Sequence, residues 1–251
     1  MKTAREFQVE FERRIVLMNP DFEIKEKLTS DTIFSFLNAY VERFVRLNYL
    51  QEDQVGDNTR AQKKNADALK GLIVRTVLTE KLNDYNNTDQ STDKFILPDD
   101  YFLYIRSNSY INSSYKGTSD NIDYAGNTPE HYHITPNKTI SEDDIEKIIS
   151  TYYNKVILRN PYVALNAGQA SDTSEQTYLN VIHDTYTNIE KVDLVYYRKP
   201  KKFNVIGVDG VNVLDHCELP ENVHMEIVEG AVEMFITEAK YRLSVKQPNQ
   251  S

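Results

Sequence analysis

Apolar residues recur at helical spacing through the first third of the chain. Phe7, Phe11, Ile15 and Met18 follow one another at intervals of four, four and three, and Thr3 with Glu6 ahead of them has the form of a capping box. The pattern predicts a helix that stops at Asn19-Pro20, because proline cannot continue the hydrogen-bond ladder. Ser30 is expected to cap a second helix, with Ile33, Leu37, Tyr40, Phe44 and Leu47 in near-heptad spacing and an end near Leu50. Residues 51–58 are polar and read as a loop. A third helix is predicted over 59–83, with Leu69, Ile73 and Val77 inward and lysines and arginines outward. Three helices before any strand make a bundle that a C-terminal helix can complete.

Residues 85–93, rich in Asn, Asp and Thr, mark the expected start of a sheet-containing insertion. Phe95-Ile96-Leu97 reads as a short strand, Pro98-Asp99-Asp100 as a turn and residues 101–111 as an aromatic-rich strand. The polar stretch 112–130, interrupted by Gly117, Gly126 and Pro129, reads as a long loop of the kind that carries function or orders against a neighbour. Ser141, with Asp144 three residues on and Ile140 and Ile145 as a staple, is expected to cap a helix through 154. A strand follows over 155–165, placed at a sheet edge by Pro161. After a loop over 167–176 comes a strand over 177–187, which turns at Thr187-Asn188 into the next.

That next strand, over 192–198, shows a clean alternation. Val192, Leu194 and Tyr196 fall on one side and Asp193, Val195 and Tyr197 on the other. It stops at Lys199-Pro200. Asp209-Gly210, between apolar runs at 205–208 and 211–214, tolerates the positive φ of a two-residue turn and predicts a second, short hairpin. Leu219-Pro220-Glu221 then announces a long helix, with proline where its missing N–H costs nothing and an acid at the positive end of the dipole. Val223, Ile227, Ala231, Met234 and Phe235 form its apolar stripe, widened by Val228, Val232 and Ile236, and Glu226, Glu229 and Glu233 form an acidic ridge. Gly230 in mid-helix costs about 1 kcal/mol against alanine and predicts another backbone passing close by. The fold class is therefore α+β: N-terminal helices over 1–84, a mainly antiparallel β-rich insertion over 85–214 with one helix near 142–154, and a C-terminal helix over 215–251 packing back on the bundle.

Composition narrows the chemistry. The 38 acids against 29 bases give a formal charge of -9, so the overall field does not favour wrapping nucleic acid. Seventeen tyrosines without a tryptophan suit protein interfaces, and suit half-buried positions at a sheet edge as well. The single cysteine, Cys217, permits no intrachain disulfide and predicts synthesis in a reducing cytoplasm; it reads as a small apolar residue ahead of a helix. No run of about 18 apolar residues occurs, and the N-terminus has no signal-peptide core, so neither membrane spanning nor secretion is expected.

Catalytic motifs are absent from the sequence: there is no Gly-x-Ser-x-Gly, His-Glu-x-x-His, Gly-x-Gly-x-x-Gly or phosphate-binding loop. The pairs Asp99-Asp100 and Asp143-Asp144 sit in first turns, where carboxylates serve structure. His183-Asp184 and Asp215-His216 are adjacent and diverge in an extended chain. His131 and His133 flank Tyr132 and would share a strand face, a ligand-like spacing without a third ligand. No catalytic, cofactor-binding or metal-ligating residue and no cofactor is assigned. Arg198, Lys199, Lys201 and Lys202 form a local basic cluster, either the solvated end of a strand or a contact for an acidic partner or DNA phosphates. With Tyr196, Glu226, Glu229 and Glu233 they are the interface candidates.

The order of a strand ending in Tyr-x-Arg-Lys-Pro (Tyr196 to Pro200), a short connection, and Cys217-Glu218-Leu219-Pro220-Glu221 leading into a helix with Glu226-Ile227-Val228 and Ala231-Val232 resembles the C-terminal half of head-to-tail connector proteins of tailed bacteriophages. It is most similar to the ring proteins beneath the portal in crAss-like phages of Bacteroides, and more distantly to tail tubular or adaptor proteins of short-tailed phages. Ile96-Leu97-Pro98-Asp99-Asp100-Tyr101 and the helical N-terminus extend the resemblance over most of the chain. The resemblance implies a non-enzymatic virion protein at the portal-tail junction, made in the host cytoplasm. It implies a homo-oligomeric ring of about twelve copies, closed by head-to-tail interfaces and stacked on the portal protein and neighbouring tail or ring proteins. Double-stranded DNA would pass through its lumen without specific contacts, and no membrane is involved. The competing expectation is a soluble binding module or small metal-dependent hydrolase of phage or host, which would need His131, His133 and His183 to converge on one metal.

Overall fold

In a computed structural model, which describes residues 2–18, 28–54, 67–81, 92–112, 132–145, 161–167, 177–183, 188–205 and 214–245, the chain begins with the helix its capping box announces. The Thr3 N–H donates to Glu6 Oε2 at 2.8 Å and the Glu6 N–H to Thr3 Oγ1 at 3.4 Å, so two orphan donors of α1 (Ala4–Met18) are satisfied reciprocally. Phe7, Phe11 and Ile15 are buried. Met18, the last residue of α1, is 42% exposed.

The fold is α+β, and it divides into two units. Residues 1–73 and 198–251 make one, residues 74–197 the other. The division falls earlier at both ends than the boundaries read from the sequence (84/85 and 214/215).

The first unit is helical. α2 (Ser30–Gln54) continues past its expected end at Leu50 through residues 51–54, where Gln and Glu favour helix. Its N-cap is Thr29 rather than Ser30: Thr29 Oγ1 accepts the Thr32 N–H at 3.3 Å and the Thr29 carbonyl accepts the Ile33 N–H at 3.2 Å. Ser30 Oγ donates instead to Gln8 Oε1 of α1 at 3.4 Å. Ile33, Phe34, Leu37, Val41, Phe44 and Val45 are buried, whereas Leu47 is exposed. The C-terminal helix α3 (Glu221–Val245) follows Pro220 directly and packs against both α1 and α2, which is why its stripe is wide. Val223, Ile227, Val228, Ala231 and Val232 are all buried. At the centre, the Phe203 ring meets Phe7 at 5.0 Å and Phe34 at 5.7 Å, both edge-on. N-terminus and core are tied together by the bridge from Thr3 to His216 and by the Ala4 N–H donating to the Asp215 carbonyl at 2.7 Å.

The helix expected over 59–83 is overturned in its second half. Leu69 is buried in a helical stretch that ends in a 3-10 turn, Lys70–Leu72, but Ile73–Leu78 is strand β1. Ile73-Val74-Arg75-Thr76-Val77 is mostly β-branched, a composition that fits a pleated surface better than a helix, and Gly71 precedes it. Ile73 and Val77 are exposed, not inward.

The second unit contains two four-stranded sheets. One has the order β1-β8-β3-β4, with β3 (Tyr101–Asn112), β4 (Tyr132–Pro136) and β8 (Asn188–Arg198); the other has β2-β7-β6-β5, with β2 (Thr92–Ile96), β5 (Lys138–Thr139), β6 (Tyr162–Ala167) and β7 (Thr177–Ile182). β3 and β4, β2 and β7, and β6 and β7 pair antiparallel, and the short β5 pairs parallel to β6. One core serves both sheets: Leu78, Tyr104, Ile111, Val192, Leu194 and Tyr196 from the first pack with Phe95, Val163, Leu179 and Val181 from the second. A single residue, Asn137, carries the chain from sheet to sheet. It accepts from Ser109 Oγ and donates to Ser107 Oγ, each at 2.7 Å, which satisfies two buried hydroxyls at the corner.

Two further expectations change, and a third falls largely outside the described residues. β6 is not a sheet edge, because β5 lies beside its first residues and the Pro161 carbonyl accepts the Lys138 N–H at 3.0 Å. β7 does not form a hairpin with β8, since the two strands belong to different sheets. The bridge between Phe203 and Leu214 is parallel, so an antiparallel hairpin does not extend to that pair; its expected turn at Asp209-Gly210 lies outside the described residues. Nearly all of the long loop over 112–130 and most of the helix over 141–154 also lie outside them. Among the described residues no helix is long and apolar enough to cross a membrane.

Candidate interaction surfaces

Of the basic cluster, the Arg198 side chain is firmly engaged, while Lys199, Lys201 and Lys202 keep exposed side chains. Arg198 clamps Glu218 with two parallel hydrogen bonds at 3.0 and 2.9 Å, and the Lys201 N–H donates to the same carboxylate at 2.9 Å. Burial pushes the Glu218 carboxyl up, but the Arg198 fork and the Lys201 amide outweigh it and hold it below the usual range. Lys199 lies 3.8 Å from Glu42, and the Lys202 carbonyl accepts the Leu214 N–H at 3.1 Å while its side chain is exposed. Tyr196 is removed from the interface candidates. It is buried in the sheet core, its hydroxyl donating to Asp100 Oδ1 at 2.7 Å, because the same alternation that buries Val192 and Leu194 turns it inward. Glu229 is paired with Arg14 of α1 at 2.9 Å, and Glu226 and Glu233 are exposed.

Among the described residues, two surfaces of the helical unit expose apolar side chains. On the outer face of α1, Val9, Val16 and Leu17 are 48, 45 and 66% exposed, and Arg5, Glu6, Glu12 and Arg13 are exposed beside them. Between α2 and α3 runs an open groove of about 650 Å³ with an apolar floor of Phe36, Leu47 and Met234 and charged margins at Arg43, Glu233 and Glu238. Tyr40 lies across Gly230 in this groove. Burial, then Glu226 and Glu233, push its phenol up against the pull of Arg43.

The close neighbour expected at Gly230 is thus a ring, not a backbone: a Cβ there would run into Tyr40. Gly230→Ala is expected to destabilise the helical unit by up to about 2 kcal/mol, since overpacking of about 1–3 kcal/mol exceeds the helix-propensity gain of about 1. In a Tyr40→Ala background the same substitution should stabilise. Urea unfolding of the four proteins decides it, and equal effects in both backgrounds would remove Tyr40 from the explanation.

The outer side of the β1-β8-β3-β4 sheet centres on a buried carboxylate. Arg75 holds Asp193 with two 2.7 Å hydrogen bonds, and Asn108 reaches it at 3.5 Å. The Arg75 bonds, opposed by burial, hold Asp193 below the usual carboxylate range. Nearby, the Lys191 ammonium lies 5.0 Å above the Tyr110 ring, and Ile134 is exposed on the neighbouring strand. At the other sheet Asp93 accepts from Lys81 at 2.9 Å and lies 3.2 Å from His183 Nε2. Burial raises the Asp93 carboxyl, yet these two partners bring it below its ordinary value. His131 lies outside the described residues, and His133 is placed on β4 opposite Ile111. Among the described residues no three His, Cys, Asp or Glu side chains come together as a metal site would require.

Two buried groups on the helical unit have structural roles. Burial pushes the Cys217 thiol up to about 11, which leaves it protonated and unreactive. His224 packs 4.9 Å from Phe7 and donates from Nε2 to the Leu219 carbonyl at 2.8 Å, while its buried Nδ1 has no partner among the described residues. Burial lowers its pKa, with the Leu219 bond opposing. A folded pKa below the unfolded value of about 6.5 means that unfolding takes up a proton in the interval between them. Stability should therefore be full above that value and fall as pH drops from 7 to 5; in His224→Phe the fall should be smaller. Urea midpoints at the two pH values test this, and an unchanged slope in the variant would refute it.

Neither surface was among the residues singled out from the sequence. Val9, Val16 and Leu17 were visible as apolar residues off the α1 stripe, whereas the groove needed α2 and α3 to be brought together. No protein-family model and no curated protein matches the chain.

Proposed function

We propose that this chain is a structural virion protein, a head-to-tail connector that forms a ring of about twelve copies between portal and tail and encloses part of the DNA channel. The observation that carries the reading is the Arg198–Glu218 clamp. Two of the motifs that carry the resemblance, Tyr-x-Arg-Lys-Pro and Cys-Glu-Leu-Pro-Glu, are separated in the chain, and a charged residue of each grips the other. They work as one device that holds the exit of β8 to the entry of α3, which is a reason for both to occur in that order. Uncovered apolar surface on the helical unit supports the reading too, since a ring subunit must keep two different faces open for its neighbours. The subunit sits at the portal-tail junction in this reading, and passing DNA is repelled or merely tolerated by an acidic chain.

Quantitative mass spectrometry of purified virus particles from the source of the chain tests it. A copy number relative to the portal near one, or a small whole number, is expected. Absence from the particle would end the connector reading.

A further inference from the structure

We propose that His224 is an acid-operated latch: uncharged, it holds α1 against α3, and on taking up a proton it releases α1 while α2 and α3 stay packed. The movement lies within one copy and needs no ring.

The seam between α1 and α3 runs through Phe7 on His224, with ring centroids 4.9 Å apart, Phe11 on Phe235 at 6.1 Å, and the Arg14–Glu229 pair at 2.9 Å. His224 and Phe235 stand eleven positions apart, three turns along one helical face. Arg14 and Glu229 are 30 and 44% exposed, so water shares their charges; His224 is 0% exposed. Its Nε2 lies 2.8 Å from the Leu219 carbonyl, which can only accept, so the neutral ring carries its proton there and leaves Nδ1 as a bare acceptor. Nδ1 has no partner among the described residues. A bare acceptor is tolerable in an apolar setting. A charged N–H in its place costs far more, because nothing there receives it.

The surrounding charges do not supply the missing partner. Lys2, whose ammonium lies 3.2 Å from Met225 Sδ, opposes a second positive charge, as does the amino terminus of the chain. Glu221, exposed in the first turn of α3, favours it and is outweighed by burial. On α1, Arg5 and Glu6 are exposed, and His216 faces Thr3 across the bridge at its start. The helix that yields is α1. Nε2 is anchored to the entry of α3 itself, and α3 is held to α2 where Phe36 meets Phe235 edge-on at 5.3 Å. Withdrawing α1 takes Phe7, Phe11 and Ile15 out of the core and lets water reach the imidazolium. An opening confined to one helix costs less than global unfolding.

Hydrogen exchange of the full chain, read by mass spectrometry at pH 7 and pH 5 with intrinsic rates divided out, tests the latch. Both values lie above the ordinary carboxylate range. Amides of Phe11 to Ile15 should be less protected than those of Val41 to Val45 at pH 7, because α1 opens while α2 stays folded. Their protection should fall on acidification by up to about tenfold per pH unit, the limit for one proton taken up. In His224→Gln, whose amide donates to Leu219 and does not titrate, protection of α1 should be the same at both values. Equal protection of the two helices in the unmodified chain would overturn the latch, since α1 then opens only with the whole unit. Protection of α1 that holds steady or rises in acid would do the same, a rise being what a cation–π contact between the imidazolium and Phe7 produces. So would a fall that persists in His224→Gln, which would belong to His216. The first two outcomes are read without any substitution, so a variant that fails to fold leaves the test decisive.

Discussion

Replacing Phe203 by alanine is expected to lower the stability of the helical unit by about 3–5 kcal/mol, the range for removing a buried aromatic from a packed core. Phe203 belongs to no helix and no named strand, yet its ring is almost wholly buried between Phe7 of α1 and Phe34 of α2. The backbone around it cannot relax to fill the space. Its N–H donates to Asn38 Oδ1 at 3.1 Å and its carbonyl accepts from Asn38 Nδ2 at 3.0 Å, so the α2 side chain fixes the segment at both polar groups. A cavity that cannot collapse puts the cost in the upper part of the range. A typical domain has only about 5–15 kcal/mol in total, so the variant should be partly unfolded in mild denaturant. Loss of the helical circular-dichroism signal in urea is the measurement. A loss below about 1 kcal/mol would mean that the ring is not the keystone of this core.

Where local signals agreed, the fold was legible from the residues alone. The capping box, the four-residue spacing of Phe7, Phe11 and Ile15, and the Asn19-Pro20 stop all pointed to α1, and the alternation in 192–198 pointed to β8. β1 was misread because a spacing of four, as between Ile73 and Val77, is shared by a helical face and by alternate positions on a strand; it satisfies both periods. The β-branched run around it was the better guide, and it was outweighed by the helical pattern before it. Tyr196 was misjudged for a different reason. Tyrosine's apolar ring and polar tip suit an interface and a core equally, and the parity of Tyr196 with Val192 and Leu194 places it on the core side. Beyond reach were the pairs made by folding: Arg75 and Asp193 are 118 positions apart, and only the adjacency of β1 and β8 joins them. The groove belongs to the same class, since Tyr40 and Gly230 become neighbours only when α3 returns to α2.

Glu218→Ala is expected to cost about 2–3 kcal/mol, between the small value of an exposed ion pair and the larger cost of stranding a fully buried charge. Both side chains of the clamp are mostly covered, at 20 and 13% exposed, so Arg198 would be left without its carboxylate and the Lys201 N–H without its acceptor. Arg198→Ala strands Glu218 instead and should cost a similar amount. The double variant should cost less than the sum by at least about 1 kcal/mol, because the second removal has nothing left to strand. The sign of the pH effect separates this pair from simple packing. Glu218 has a folded pKa below its unfolded value, so its stabilisation is present above about pH 4.3 and is lost as pH falls through the folded pKa. The gap between wild type and Glu218→Ala should therefore narrow in acid. His224 is retained in both proteins, so its titration cancels from the comparison. A gap that stays constant down to pH 3 would show that the side chain matters for its volume rather than its charge. In that case the two motifs would be held together by packing around Leu219, and the clamp would no longer explain why they occur as a pair.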